Sequence, residues 1–91
     1  IEALRDAALA LGFSEEQARL LAIETVVGAA ALAADSTEDV TVLRQRVTSK
    51  GGTTEAALNS LNADDFKAAI LRAVRAAEAR GRELGELLGK D

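Results

Sequence analysis

The residues best suited to chemistry lie together in the segment S-K-G-G-T-T, residues 49–54. A glycine pair in front of a helix start exposes backbone N–H groups, and the helix dipole adds positive potential at the same place. The serine and threonine hydroxyls of the segment are further donors. Three basic residues add positive charge nearby: Arg44, Arg46 and Lys50. This combination predicts a site for a carboxylate or a phosphate.

The same segment also has a simpler interpretation as a turn between two helices, with glycines and threonines that serve only as caps. Its spacing does not match a Walker A loop, which requires G-x4-G-K-[ST]. It does not match a dinucleotide fingerprint either, because Gly51-Gly52 lacks a third glycine and follows a helical pattern rather than a strand. On the residues alone, the anion-binding loop and the plain turn both stay open.

Composition narrows the chemistry of the whole chain. Its 91 residues contain no Met, Cys, His, Trp, Tyr or Pro. Without Cys or His there is no thiol nucleophile, no Ser-His-Asp machinery and none of the usual ligands of a zinc site. We therefore expect no metal centre.

Charge and hydropathy suggest which partners to exclude. The formal net charge is -4 and the basic residues are scattered, which argues against a nucleic-acid surface. No run of 18 consecutive apolar residues is present, so we expect no transmembrane helix and no membrane partner. No signal-peptide pattern opens the chain, so we expect a cytoplasmic protein.

The start of the chain predicts that it is part of a longer protein. There is no initiating Met, and the helical pattern is already running at Ile1. The alternative is a mature chain from which a leader has been removed.

The pattern predicts an all-α fold, a five-helix orthogonal bundle with two long helices. Twenty Ala and thirteen Leu favour helix, and the absence of Pro allows long ones. Gly12 is a predicted left-handed cap, Ser14 and Gln17 a capping box, and Thr53 an N-cap. The predicted helices cover residues 1–11, 15–34, 40–47, 54–61 and 65–87.

Apolar faces predict burial and self-association. The helix over 15–34 is apolar nearly all round and is expected to be central and buried. The last helix has a predicted buried stripe, made of Phe66, Ile70, Val74, Ala77, Leu84 and Leu88. Together these faces exceed what one short chain buries, which favours a helical dimer interlocked with a second copy. A glycine row in the last helix fits either a frayed tail or a close helix–helix contact: Gly81, Gly85 and Gly89.

The segment V-T-S-K-G-G-T-T, residues 47–54, resembles the signature of the pyrroline-5-carboxylate reductase family, usually V-x-S-P-G-G-T-T. The T-V-V-G-A-A stretch at 25–30 and the F-K-A-A stretch at 66–69 match the family as well. The similarity covers essentially the whole chain in the family's order.

This resemblance implies that residues 1–91 are the C-terminal helical dimerisation and substrate-carboxylate-binding domain of an oxidoreductase. In the family, an N-terminal Rossmann domain, absent from this chain, binds NAD(P)H. The enzyme reduces 1-pyrroline-5-carboxylate to L-proline, the last step of proline biosynthesis. The implied partners are a second copy, in a dimer or larger oligomer, and the substrate or product. The chain alone is expected to bind no cofactor and to be inactive.

The resemblance also assigns roles within the loop. The residues implied to bind the substrate carboxylate are Ser49, Gly51, Gly52, Thr53 and Thr54. The Thr54 hydroxyl is implied to lie near the ring nitrogen as a catalytic group that polarises the imine or relays a proton. Two positions depart from the family, because Lys50 and Val40 stand where it often has proline. We expect Lys50 to point to water.

Two other functions remain compatible with parts of the pattern. One is a purely structural helical dimerisation module without a substrate role. The other is the helical domain of a different two-domain NAD(P)-dependent dehydrogenase, such as a hydroxyacid or phosphogluconate enzyme. Those enzymes generally rely on a lysine in the helical domain, and the loop at 49–54 argues against them.

Overall fold

The computed structural model describes residues 1–89, and these form five α-helices without a β-strand. The helices are α1 (Glu2–Ala10), α2 (Glu15–Ala34), α3 (Val40–Val47), α4 (Thr53–Ala63) and α5 (Phe66–Leu88). The all-α prediction and its two long helices, α2 and α5, are confirmed. The chain divides into two compact units, residues 1–46 and the part from Val47 onward.

In the first unit, α1 ends in a Schellman motif. Gly12 has a φ of +98°, the left-handed conformation that its sequence position predicts. The Phe13 N–H donates to the Ala8 carbonyl at 3.2 Å, and the Gly12 N–H donates to the Leu9 carbonyl at 3.0 Å. These two bonds satisfy carbonyls that the end of the helix would otherwise leave without partners.

The predicted capping box begins α2. The Gln17 N–H donates to the Ser14 Oγ, and the Ser14 N–H donates to the Gln17 Oε1, both at 3.2 Å. Glu15 and Glu16 occupy the first turn, where the helix dipole favours negative charge. Local side-chain chemistry thus determines the chain reversal between α1 and α2.

Helices α1 and α2 pack against each other through alanines. Ala8, Ala18 and Ala22 are the buried apolar residues among those the structure describes. The prediction that α2 is central and buried is therefore wrong for the single chain, because α1 covers only one of its faces. Val27 and Leu32 remain more than half exposed. This apolar surface needs another cover.

By length and composition, α2 is also apolar enough to cross a membrane, and little of it is buried. The rule of 18 consecutive apolar residues missed this, because Glu24 and Thr25 interrupt the run without making the whole helix polar. Such a helix fits a buried dimer element as well as a membrane span.

In the second unit, a short break separates α4 from α5. Helix α4 extends to Ala63, two residues beyond the prediction, so the break contracts to Asp64 and Asp65. Asp65 is the N-cap of α5 and adopts a left-handed φ of 52°. Aspartate tolerates this conformation better than most side chains.

The predicted buried stripe of α5 is not buried in the single chain. Phe66 is 46 % exposed, Val74 59 % and Leu88 78 %. The reason is the same as for α2, since α4 meets α5 only at a small contact. Stripe periodicity shows which face is apolar, whereas burial requires a partner for that face.

Polar pairs and glycines on α5 follow the sequence in part. The Arg82 guanidinium donates to the Glu78 carboxylate, as their spacing predicts. The same i,i+4 spacing predicts a second pair between Glu86 and Lys90, and Lys90 lies outside the described residues. The helix continues through Gly81 and Gly85 to Leu88 rather than ending early.

Candidate anion-binding loop

A tight turn at residues 49–52 leads into α4. The Gly52 N–H donates to the Ser49 carbonyl at 3.0 Å and closes the turn. Gly51, at its third position, has a φ of +76°. A type II turn requires this conformation at that position, and glycine adopts it without steric cost.

The second glycine has a different role. Gly52 has a φ of −87° and a ψ of −179°, an extended conformation open to any residue. A Cβ at this position would lie 3.2 Å from the Ser49 carbonyl oxygen and 3.3 Å from the Ser49 Cβ. The first glycine is therefore needed for its backbone angle, and the second for close contact.

Helix α4 begins one residue earlier than its sequence predicts. The prediction of Thr53 as N-cap is wrong, because Gly52 is the N-cap and its carbonyl accepts from the Ala56 N–H at 3.2 Å. Thr53 is the first helical residue. Within residues 1–89, the N–H groups of Thr53 and Thr54 have no hydrogen-bond partner, as expected for a first turn.

A glutamate that sequence reasoning missed completes the loop. The Gly51 N–H donates to the Glu55 Oε1 at 3.1 Å. Glu55 lies three residues after the N-cap, the position from which a capping-box side chain reaches back to the chain before the helix. That spacing was the available signal, and the non-polar cap residue concealed it.

The backbone donors of the predicted site thus fall into two groups. Those of Gly51 and Gly52 are bonded inside the loop, to Glu55 and Ser49. Those of Thr53 and Thr54 are free within the described chain, next to hydroxyls from the same two residues. Two adjacent amides at a helix N-terminus, with hydroxyls beside them, provide what a carboxylate binds.

Two of the three basic residues predicted to add positive charge are an ion-paired arginine and a solvent-exposed lysine. The Arg46 guanidinium forms an ion pair with Glu38 at 2.6 Å, in the first unit. Lys50 is exposed and makes no hydrogen bond or ion pair with any residue the structure describes, in agreement with the expectation that it points to water. Backbone donors, more than side-chain cations, characterise this loop.

The first unit has a surface cavity of about 450 Å³, lined by Arg5, Leu9, Glu15 and Arg19. Asp6 accepts from the Arg5 guanidinium at 2.9 Å, and Glu15 adds a second negative charge. The cavity contains none of the predicted site residues, and its charges largely cancel.

An all-helical domain that leaves apolar helix faces uncovered is typical of helical dimerisation domains. Comparison with known families makes this specific. The family described as pyrroline-5-carboxylate reductase dimerisation matches residues 1–84, and the chain belongs to this family.

Individual relatives agree with this assignment. The chain is 44 % identical to a pyrroline-5-carboxylate reductase of Pseudomonas aeruginosa over 99 % of its own length and 33 % of that protein. It is 43 % identical to the Arabidopsis thaliana pyrroline-5-carboxylate reductase over 94 % of its length and 31 % of that protein. The chain therefore spans about a third of the curated relatives it matches.

A solved structure shows the same fold. The chain matches a Plasmodium falciparum pyrroline carboxylate reductase, crystallised with NADP bound, with a TM-score of 0.87 and 32 % identity. The match covers 92 % of this chain and 33 % of that one. The helical fold is that of one part of a larger reductase.

Proposed function

We propose that this chain is the C-terminal dimerisation and substrate-carboxylate-binding domain of a cytoplasmic pyrroline-5-carboxylate reductase. In this proposal the whole enzyme reduces 1-pyrroline-5-carboxylate to L-proline with NAD(P)H. The family match and the named relatives support the reaction class. The observation that carries the site is a pair of amides at the start of α4, those of Thr53 and Thr54, which have no hydrogen-bond partner in the part of the chain that the structure describes.

The cofactor belongs to the part of the enzyme outside this chain. Residues 1–89 include no strand followed by a glycine-rich turn and a helix, the unit that holds a dinucleotide. The reductase of known structure has NADP bound. In the proposed reaction the cofactor supplies the hydride, so the helical domain needs neither a histidine nor a cysteine.

The proposed task of the loop is to hold and orient the substrate. The amides of Thr53 and Thr54 bind the substrate carboxylate, with hydroxyls from Ser49 and Thr53 as additional donors. With the carboxylate fixed, one further contact to the ring is enough to set the direction of its imine bond. The Thr54 hydroxyl then donates to the ring nitrogen. This hydrogen bond draws electron density away from the imine carbon, which makes that carbon a better acceptor of hydride.

A second copy is the proposed partner of the apolar faces. Helices α2 and α5 leave Val27, Leu32, Phe66 and Val74 exposed in the single chain. A second copy of the chain has the same exposed apolar faces, and the matching family is described as a dimerisation domain. We therefore assign the apolar character of α2 to an interlocked dimer rather than to a membrane span.

The test is Thr54→Ala in the intact reductase that carries this chain, with Thr54→Ser as the matched control that keeps the hydroxyl. Alanine is expected to raise KM for the substrate or lower kcat, with a combined loss in kcat/KM of about tenfold or more. Serine is expected to stay within about threefold of wild type. Wild-type kinetics in the alanine variant would contradict the role of Thr54.

Intact enzyme without any pyrroline-5-carboxylate-dependent oxidation of NADPH or NADH would contradict the reductase assignment. If that protein is nevertheless dimeric, the purely structural module becomes the better account.

A further inference from the structure

The loop proposed to hold a substrate carboxylate already binds one of the chain's own. The Glu55 Oε1 accepts the Gly51 N–H at 3.1 Å, and the glutamate is half-buried against the turn. This side chain is not among the groups that the family signature or the proposed mechanism uses.

We propose that Glu55 is a positioning residue for the substrate loop, a role that rests on the proposed function. Its carboxylate accepts a hydrogen bond from Gly51 and so links the loop to the beginning of α4. This link fixes the direction of the Thr53 and Thr54 amides, which remain available to the substrate.

The turn has few other constraints. Within the described residues it is closed by one backbone bond, from Gly52 to Ser49 at 3.0 Å. Gly51 is a flexible residue in a left-handed conformation. Lys50 precedes it and lacks the fixed φ that proline provides at the second position of such a turn. The Glu55 bond supplies the rigidity that this lysine does not.

The charge of Glu55 has an opposite effect. A carboxylate on the Gly51 amide lies close to where an anionic substrate is proposed to bind, and like charges repel. The hydrogen bond and the charge are therefore expected to act in opposite directions on substrate affinity. Glutamine separates the two, because it keeps a side-chain oxygen as acceptor and removes the charge.

The experiment compares Glu55→Ala and Glu55→Gln in the intact reductase. Alanine is expected to raise KM for pyrroline-5-carboxylate about fivefold, with kcat within about twofold. Glutamine is expected to leave KM at or below the wild-type value. Glu16→Ala is the matched control, because Glu16 is also a first-turn acid but is exposed and makes no hydrogen bond to any described residue. It is expected to leave KM unchanged.

Hydrogen exchange of the Gly51 amide gives a second readout that does not depend on turnover. Exchange is expected to be slow in wild type and Glu55→Gln, and about fivefold faster in Glu55→Ala. Circular dichroism checks that each variant keeps its helices. Unchanged KM in Glu55→Ala, or an equal rise in KM in both variants, would overturn the positioning role.

The two proposals fail in different ways. If the wild-type protein has no reductase activity, the proposed function is wrong. The exchange of the Gly51 amide would still test whether Glu55 holds the turn. Wild-type reductase activity together with fast Gly51 exchange in all forms would count against Glu55 alone.

Discussion

Gly52 lies directly against Ser49. Its N–H donates to the Ser49 carbonyl at 3.0 Å, and a Cβ placed on it would lie 3.2 Å from that same oxygen. The nearest atom is backbone rather than the end of a flexible side chain, so a Cβ on Gly52 would require the turn to shift by a few tenths of an ångström. A movement of Gly52, which caps α4, therefore also moves Ser49, which is assigned to the substrate.

Gly52→Ala is expected to destabilise the domain by about 1 kcal/mol, because alanine is a poorer N-cap than glycine and its Cβ would press on the Ser49 carbonyl. It is also expected to raise KM of the intact reductase, because the Thr53 and Thr54 amides move with the turn. Chemical unfolding at a fixed protein concentration measures the first effect, and steady-state kinetics the second.

The control is Lys50→Ala, in the same turn but at an exposed side chain without partners among the described residues. An unfolding free energy equal to wild type in Gly52→Ala would show that the turn accommodates the methyl group.

Lys50→Pro is expected to stabilise the domain by about 0.4–1 kcal/mol, because proline restricts the unfolded chain at a position whose backbone suits it. The Lys50 N–H makes no hydrogen bond within the described residues, so proline removes no bond. Thermal unfolding measures the effect. Lys50→Ala separates the loss of lysine from the gain of proline, and a lower unfolding temperature in the proline variant alone would mean that the turn differs from the one described.

How well the sequence predicts a feature of this domain depends on how far apart in the chain the residues that form it lie. The Gly12 cap and the Ser14–Gln17 box are formed by neighbours in the chain, and both were predicted. The predicted start of α4 was wrong by one residue. A threonine is the better cap by preference, but the turn closed from Gly52 to Ser49 and the Glu55 bond to the Gly51 N–H place the cap at Gly52.

Burial was the feature that sequence predicted least well. The apolar faces of α2 and α5 were identified, but Val27 and Phe66 are exposed because their cover is not in the same chain. Periodicity identifies a face without identifying what packs on it. The substrate-binding roles of Ser49, Gly51, Gly52, Thr53 and Thr54 follow from the family resemblance and remain predictions.

Self-association is expected from these exposed faces. Sedimentation equilibrium of the 91-residue chain should give at least twice its 9.5 kDa mass at micromolar concentration. Val74→Asp, in the middle of the α5 stripe, should weaken the association because it buries an unpaired charge. Arg72→Asp supplies the matched control on the same helix. A well-folded wild-type monomer at that concentration would contradict an obligate dimer.

The most direct test of the central claim is whether the loop amides respond to a carboxylate. Intact reductase labelled with ¹⁵N-threonine is titrated with L-proline, and in parallel with pyrrolidine, which has the same ring without the carboxylate. The account predicts that the Thr53 and Thr54 amide resonances shift with proline and stay in place with pyrrolidine. Amides that do not move at a proline concentration that inhibits the enzyme, or that move equally with both compounds, would contradict the assignment of this loop to the substrate carboxylate.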